Sequence, residues 1–140
     1  MELGLKLKQI HDCIQKRANN DMQEMDLTFS QHHVIMCLAH REDHTAELKE
    51  LEREFRVSQP TMAGIVQRLE AKGYVEPLAH PTDRRIKMIR LTPEGLELSE
   101  RSHQKMLRRR QEMTNDLTHE ELETLERLLE KIYQNILNSD

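Results

Sequence analysis

Tryptophan is absent from this chain of 140 residues, and aromatic residues make up only 3 % of it. Any buried core must therefore be aliphatic, built from Leu, Ile, Val and Met. Cysteine is almost as scarce. Cys13 and Cys37 are the only two, and without a CxxC spacing or a small secreted scaffold they read as reduced thiols rather than a staple. Four glycines form no Gly-rich phosphate loop. There is no nucleophile elbow and no acid pair with a supporting constellation, so nothing points to an enzyme, a catalytic residue or a cofactor. Long apolar runs are missing too, and the N-terminal "MELGLKLKQI" is amphipathic rather than signal-like. The expectation is a soluble, cytoplasmic protein with no membrane partner.

Charge is what the chain has in quantity, at 33 % of residues and a net −4. Its distribution matters more than its total. Residues 56–90 hold seven basic side chains (Arg56, Arg68, Lys72, Arg84, Arg85, Lys87, Arg90) and three acidic ones (Glu70, Glu76, Asp83), a local +4 that leaves the remainder at −8. One basic block sits in an otherwise acidic protein.

The charged, Leu-rich composition predicts a mainly α fold. Leu3, Leu7, Ile10 and Ile14 repeat at four, three and four, an a/d seam made for packing against another helix, with "RANND" around Asn19 as a point where it frays or bends. Thr28, three residues before Gln31, opens a second helix whose stripe is Val34, Ile35 and Leu38. "TAELKELEREF" predicts a third helix with Leu48, Leu51 and Phe55 on one face. A fourth follows at once, with Ser58 as N-cap, Pro60 in its first turn and Gly73 as its stop. Met62, Ile65, Val66 and Leu69 form its core face. "YVEPL" and "IKMIRL" then suit a two-stranded hairpin, Thr92-Pro93 caps a fifth helix, and a capping box from Thr118 to Glu121 opens a sixth. That last helix carries a second a/d seam, Leu122, Leu125, Leu129, Ile132 and Ile136.

The third helix, the "RVS" turn and the fourth helix make a helix-turn-helix, and the basic hairpin after it makes it winged. The fold class is thus mainly α with a small β-hairpin wing. The winged helix-turn-helix at residues 28–92 is flanked by an N-terminal dimerisation helix at 1–27 and C-terminal dimerisation helices at 93–140. The second helix of such a unit puts its N-terminal residues against base edges in the major groove of double-stranded DNA. Here those are Ser58, Gln59, Pro60, Thr61 and Met62, with Arg68 further along. Gln59 and Thr61 donate and accept, Met62 suits thymine methyls, and the helix N-terminus favours phosphate. The turn "HPTDRR" cannot bury its charges. Arg84 and Arg85 at a hairpin tip suit the negative potential of a minor groove, and Asp83 beside them is expected to orient Arg85 and leave Arg84 free.

These segments also carry a resemblance. "LTFSQHHVIMCL", "VSQPTMAGIVQRLEAKGYVE" and "DRRIKMIRLTPEG" resemble the multiple-antibiotic-resistance regulator (MarR) family of bacterial winged-helix repressors, over nearly the whole chain. The resemblance implies a homodimer, a pseudo-palindromic operator with half-sites on the order of 10 bp apart, and a small-molecule effector that changes their spacing. Two positions depart from the family pattern. Gly64 stands where a larger residue, often arginine, is usual, and Pro77 where a basic residue usually follows Val-Glu.

His33, Cys37 and His40 follow one another at i, i+4 and i+7. Zinc-sensing branches of the family use the His33 position as a ligand, but this chain offers Ser102 and Met106 where those branches have further histidines. A zinc ion wants about four convergent ligands, and no metal site is assigned. Cys13 invites comparison with the peroxide-sensing branch, yet nothing in the sequence lowers its pKa. His11, Cys13, His33 and Cys37 are instead candidates for the lining of an effector pocket, with metal or thiol-redox sensing as the alternative. A winged-helix interaction module without DNA binding is the competing class, and the basic wing tip argues against it.

Overall fold

Thr28, Ser58 and Thr118 each open a helix by the same device. Their hydroxyl oxygens accept the backbone N–H three residues on, from Gln31 at 3.1 Å, Thr61 at 3.3 Å and Glu121 at 3.1 Å. At Thr28 and Thr118 the third residue returns the bond to the cap's own N–H. Each pair satisfies two of the donors that a helix start leaves open.

A computed structural model describes residues 2–139, in two units, Met1–Glu100 and Arg101–Asp140. The first contains α1 (Leu3–Glu24), α2 (Phe29–His40), β1 (Thr45–Glu47), α3 (Leu48–Phe55), α4 (Gln59–Ala71), β2 (Val75–Ala79), β3 (Lys87–Leu91) and the start of α5 (Pro93–Thr114). The second contains the rest of α5 and α6 (His119–Leu137). The fold is mostly helical with one small antiparallel sheet. Among the described residues no helix is long and apolar enough to cross a membrane.

Two sequence expectations need correction here. The fraying expected near Asn19 does not occur, since α1 runs unbroken to Glu24. The segment from Thr45 does not start the third helix either. Thr45–Glu47 is a strand, and the sheet has three strands in the order β1-β3-β2, with Ala46 opposite Ile89 and Pro77 opposite Ile89 on the other side. Asp43 sets up this strand by accepting from the Thr45 N–H at 3.1 Å and the Thr45 hydroxyl at 2.8 Å. The helix begins only at Leu48, where Glu47 and Glu50 cap each other. β2 is an edge strand, the place where a proline such as Pro77 costs no central ladder bond.

Ile35, Leu38, Leu51, Met62, Leu69, Ile89 and Val34 are the largest fully buried side chains. They come from α2, α3, α4 and β3, so one aliphatic core holds the helix-turn-helix against the wing. Each such burial stabilises by roughly 1.5–3 kcal/mol. The motif after the wing has a structural explanation. Thr92 donates its hydroxyl to the Gly73 carbonyl at 2.6 Å, accepts the Gly95 N–H at 3.1 Å, and its own N–H reaches the Tyr74 carbonyl at 3.0 Å. A Cβ at Gly95 would collide with that Tyr74 carbonyl. The start of α5 thus presses on the turn between α4 and β2 more closely than any side chain permits. At the same end, Lys72 bonds the Asp26 carbonyl and reaches the buried Gln31 amide oxygen at 3.4 Å.

The outer helices are different. Neither α1 nor α6 has a fully buried residue. Leu3, Ile10 and Ile14 on α1 are exposed, as are Leu125, Leu129 and Ile136 on α6. Each helix leaves much of its a/d seam exposed, with Leu7 on α1 and Leu122 and Ile132 on α6 half-buried.

Candidate nucleic-acid interface

The turn between α3 and α4 is made by Arg56, whose backbone lies in the left-handed region at φ 54°. It ends α3 at Phe55 and lets Ser58 cap α4 three residues later. The Ser58 hydroxyl also donates to the Thr61 hydroxyl oxygen at 2.9 Å. Thr61 therefore keeps its own hydroxyl hydrogen free for an outside acceptor. Ser58, Gln59, Pro60 and Thr61 are all exposed.

Met62 is not. It is fully buried, which corrects its assignment as a thymine contact. Met62, Ile65, Val66 and Leu69 form one stripe at helical spacing, and a residue on that stripe faces the core, not a groove. Arg68 is exposed and leans back along the helix, its Nη1 3.4 Å from where a Cβ on Gly64 would stand. The missing side chain at position 64 is thus filled by a guanidinium from one turn on.

The wing loop, residues 80–86, holds its two arginines differently. Asp83 accepts from Arg85 three times, from the backbone N–H at 2.9 Å, from Nε at 3.1 Å and from Nη2 at 3.1 Å. This Arg85 clamp, guanidinium first and backbone N–H second, keeps the Asp83 carboxyl below the usual carboxylate range. Among the described residues Arg84 has no hydrogen-bond or ion-pair partner. The same contrast runs through the basic block. Lys72, Arg85 and Arg90 face Asp26, Asp83 and Glu76. Among the described residues Arg56, Arg68, Arg84 and Lys87 face no carboxylate. A cleft of about 520 Å³ lies between the wing and the starts of α3 and α4, lined by Gln59, Ala63, Lys49, Glu52, Arg85 and Ile86 among others.

Sequence reasoning missed His80. Its Nδ1 accepts the backbone N–H of Thr82 at 3.2 Å and of Asp83 at 3.0 Å, and its Nε2 lies 3.7 Å from a Glu47 carboxylate oxygen. The available signal was the spacing in "HPTD", where a ring acceptor sits two and three residues before two N–H groups.

The four effector candidates are not brought together by any bond among the described residues. His11 and Cys13 are exposed on α1. His33 stacks on Phe55 with ring centroids 4.3 Å apart, and the Cys37 thiol donates to Glu54 at 3.2 Å. Arg41 bridges Glu50 at 2.8 Å and Glu54 at 3.0 Å. Burial first, then the Glu54 carboxylate, pushes the Cys37 thiol up, away from the thiolate that redox sensing needs. Among the described residues no cluster of three or more His, Cys, Asp or Glu is placed to hold a metal ion.

Comparison with known proteins bears on the family and the fold. Residues 25–86 match the model of the MarR family. The multiple antibiotic resistance protein MarR of Salmonella typhimurium is 31 % identical over 131 residues, 93 % of this chain and 90 % of that protein. The crystal structure of the reduced form of MarR from E. coli is 31 % identical and superposes with a TM-score of 0.70 over 94 % of this chain and 96 % of that one. A S. aureus MepR–DNA complex, 22 % identical, has the same fold with a TM-score of 0.82 over 92 % of this chain and 96 % of that one.

Proposed function

The chain belongs to the MarR family of transcriptional regulators, and from that premise we propose a homodimeric repressor that holds a pseudo-palindromic operator until a small molecule releases it. The α4 N-terminus enters the major groove with Gln59 and Thr61 toward base edges, Ser58 and Pro60 near the backbone, and Arg68 beside them. Arg84 enters the adjacent minor groove, and Asp83 steers Arg85 onto phosphate. The observation that carries this reading is the unpartnered Arg84 beside a clamped Arg85. An acidic protein that leaves a guanidinium bare at a wing tip has charge available for an external anion. The solved MepR complex shows that the same fold engages DNA in a relative.

The exposed apolar seams of α1 and α6 support dimerisation, because surface of that kind in a soluble regulator asks for cover. Two-fold symmetry then makes the operator palindromic. For the effector we favour the flank of α2 that carries His33 and Cys37, with His11 and Cys13 of α1 as outer candidates. Whatever binds there shifts the equilibrium only by its differential affinity for the two spacings of the recognition helices. A ligand-bound structure with His33 and Cys37 remote from the ligand overturns that placement.

The test is selection from a pool of random duplexes, sequenced after enrichment, with and without Zn²⁺ and with Arg84→Ala beside the wild type. A palindromic motif that the variant loses supports the regulator reading. Absence of enrichment at low salt overturns it in favour of an interaction module, and a zinc requirement brings back the metal-sensing alternative. Affinity should fall steeply as salt rises, since each neutralised phosphate releases a counterion.

A further inference from the structure

The tip of the wing is held by few bonds, and one side chain makes two of them. His80 Nδ1 accepts from the backbone N–H groups of Thr82 and Asp83, and the Thr82 hydroxyl lies 3.4 Å from the same nitrogen. An imidazole nitrogen that accepts two N–H groups carries no proton, so the ring's single proton is on Nε2, which faces Glu47. Pro81 narrows the backbone choices of His80, and the loop then bends around the ring. Asp83 is the residue that clamps Arg85, and Arg84 is its neighbour, so the atoms bonded to His80 belong to the segment that presents both arginines.

We propose that His80 is a pH-sensitive positioning residue of the wing: its neutral ring caps the tip in the DNA-competent form, and protonation at Nδ1 releases that cap and weakens DNA binding. The step needs no new partner. One proton from water converts Nδ1 from acceptor to donor, directly facing two other donors. The charged groups around the ring are the Glu47 carboxylate, from the junction of β1 and α3, and the Asp83 carboxylate of the loop, itself balanced by Arg85. Both attract an imidazolium, while the two N–H groups repel it. Protonated at Nδ1, the ring can no longer accept those two N–H groups, while Glu47, already 3.7 Å from Nε2, keeps its hold on the other side of the ring. Imidazole is the side chain that changes charge between about pH 5 and 8. Asp83, held below the usual range by Arg85, stays ionised there and cannot imitate the effect.

The inference rests on the reading of the wing as a DNA contact, and its test separates the two. His80→Asn places an amide oxygen near the position of Nδ1, an acceptor that does not titrate. His80→Ala removes the acceptor. Binding to the enriched duplex is measured at about pH 8 and about pH 5.5 at constant ionic strength, with thermal unfolding of each variant alongside. Amide NMR shifts of Thr82 and Asp83 are followed over the same range without DNA. The wild type should bind about tenfold more weakly at the lower pH, the size expected for losing one or two net hydrogen bonds. His80→Asn should bind like the wild type at the higher pH and hold that affinity on acidification. His80→Ala should be weak at both. The two amides should follow pH in the wild type and not in His80→Asn. The other seven histidines are present in every variant, so a parallel pH response of wild type and His80→Asn overturns the proposal. Wild-type affinity in His80→Ala overturns it as well. If no duplex is bound while the amides still titrate with His80, the DNA reading is what fails; if DNA is bound and the amides stand still, the cap is.

Discussion

Arg84 at the wing tip and Arg41 at the end of α2 are both arginines in the helix-turn-helix unit, and their surroundings differ in one respect. Arg41 reaches Glu50 and Glu54 across to α3, and Glu54 in turn takes the Cys37 thiol. Its charge is already answered inside the molecule. Among the described residues Arg84 has nothing to answer it. The lesson is that a basic residue's role is read from its partners rather than its presence. The seam between α2 and α3 uses charge to hold two helices, while in the wing Arg84 is left without such a partner among the described residues.

Substitutions sharpen that contrast. The largest effect should come from Arg84→Ala, with about a tenfold loss of operator affinity per wing and up to about a hundredfold for a two-wing complex, measured by fluorescence anisotropy, and an unchanged melting temperature. A melting temperature that fell with affinity would show that Arg84 is structural after all. Arg41→Ala should do the reverse, costing about 1 kcal/mol of stability for a partly exposed bridge to two carboxylates, with operator affinity within a factor of about two at matched folded fraction. Chemical denaturation checks the first half and the anisotropy titration the second.

A smaller effect should appear as a pH dependence. Arg41 lowers the pKa of Glu50 in the folded chain. The stabilisation is therefore complete above the ordinary glutamate range, about 4.3, and is lost as pH falls below about 4 through the lowered folded value. Acid unfolding of the wild type should be steeper over that range than that of Arg41→Ala. Equal slopes would remove Glu50 from the account of the seam. The smallest change is Gly64→Ala. Alanine in a helix interior favours folding by about 0.5–1 kcal/mol, and the added Cβ meets only the mobile end of Arg68 at 3.4 Å. Stability should rise slightly while the preferred operator changes at the base pairs nearest Arg68, a change visible in a repeated selection.

Much of the candidate interface's local geometry was legible in the sequence because its bonds are short-range. Ser58 capping Thr61, Pro60 in the first turn, Gly73 at φ 80° and Asp83 gripping Arg85 all join residues within a few positions of each other. Local rules reach that far. The strand at Thr45–Glu47 was not legible. Three residues show no periodicity, and their partner, Arg90 to Met88, lies far downstream. Met62 failed for a different reason. It satisfies both a position rule for recognition helices and a periodicity rule for cores, and only the packed molecule shows that it has a single place to point.

By itself the sequence determined most of the helices, the caps at Thr28, Ser58 and Thr118, the basic block and the apolar stripes, since each depends on spacing along one segment. Tertiary structure decided which side chains found partners far along the chain. Lys72 finds Asp26, Arg90 finds Glu76 and Cys37 finds Glu54 only when distant segments meet, and composition counts charges without pairing them. The closeness of Gly95 to the Tyr74 carbonyl and the approach of Glu47 to His80 are of the same kind. Both are set by how α5 and β1 dock onto the wing, a matter of packing between segments that no local pattern encodes.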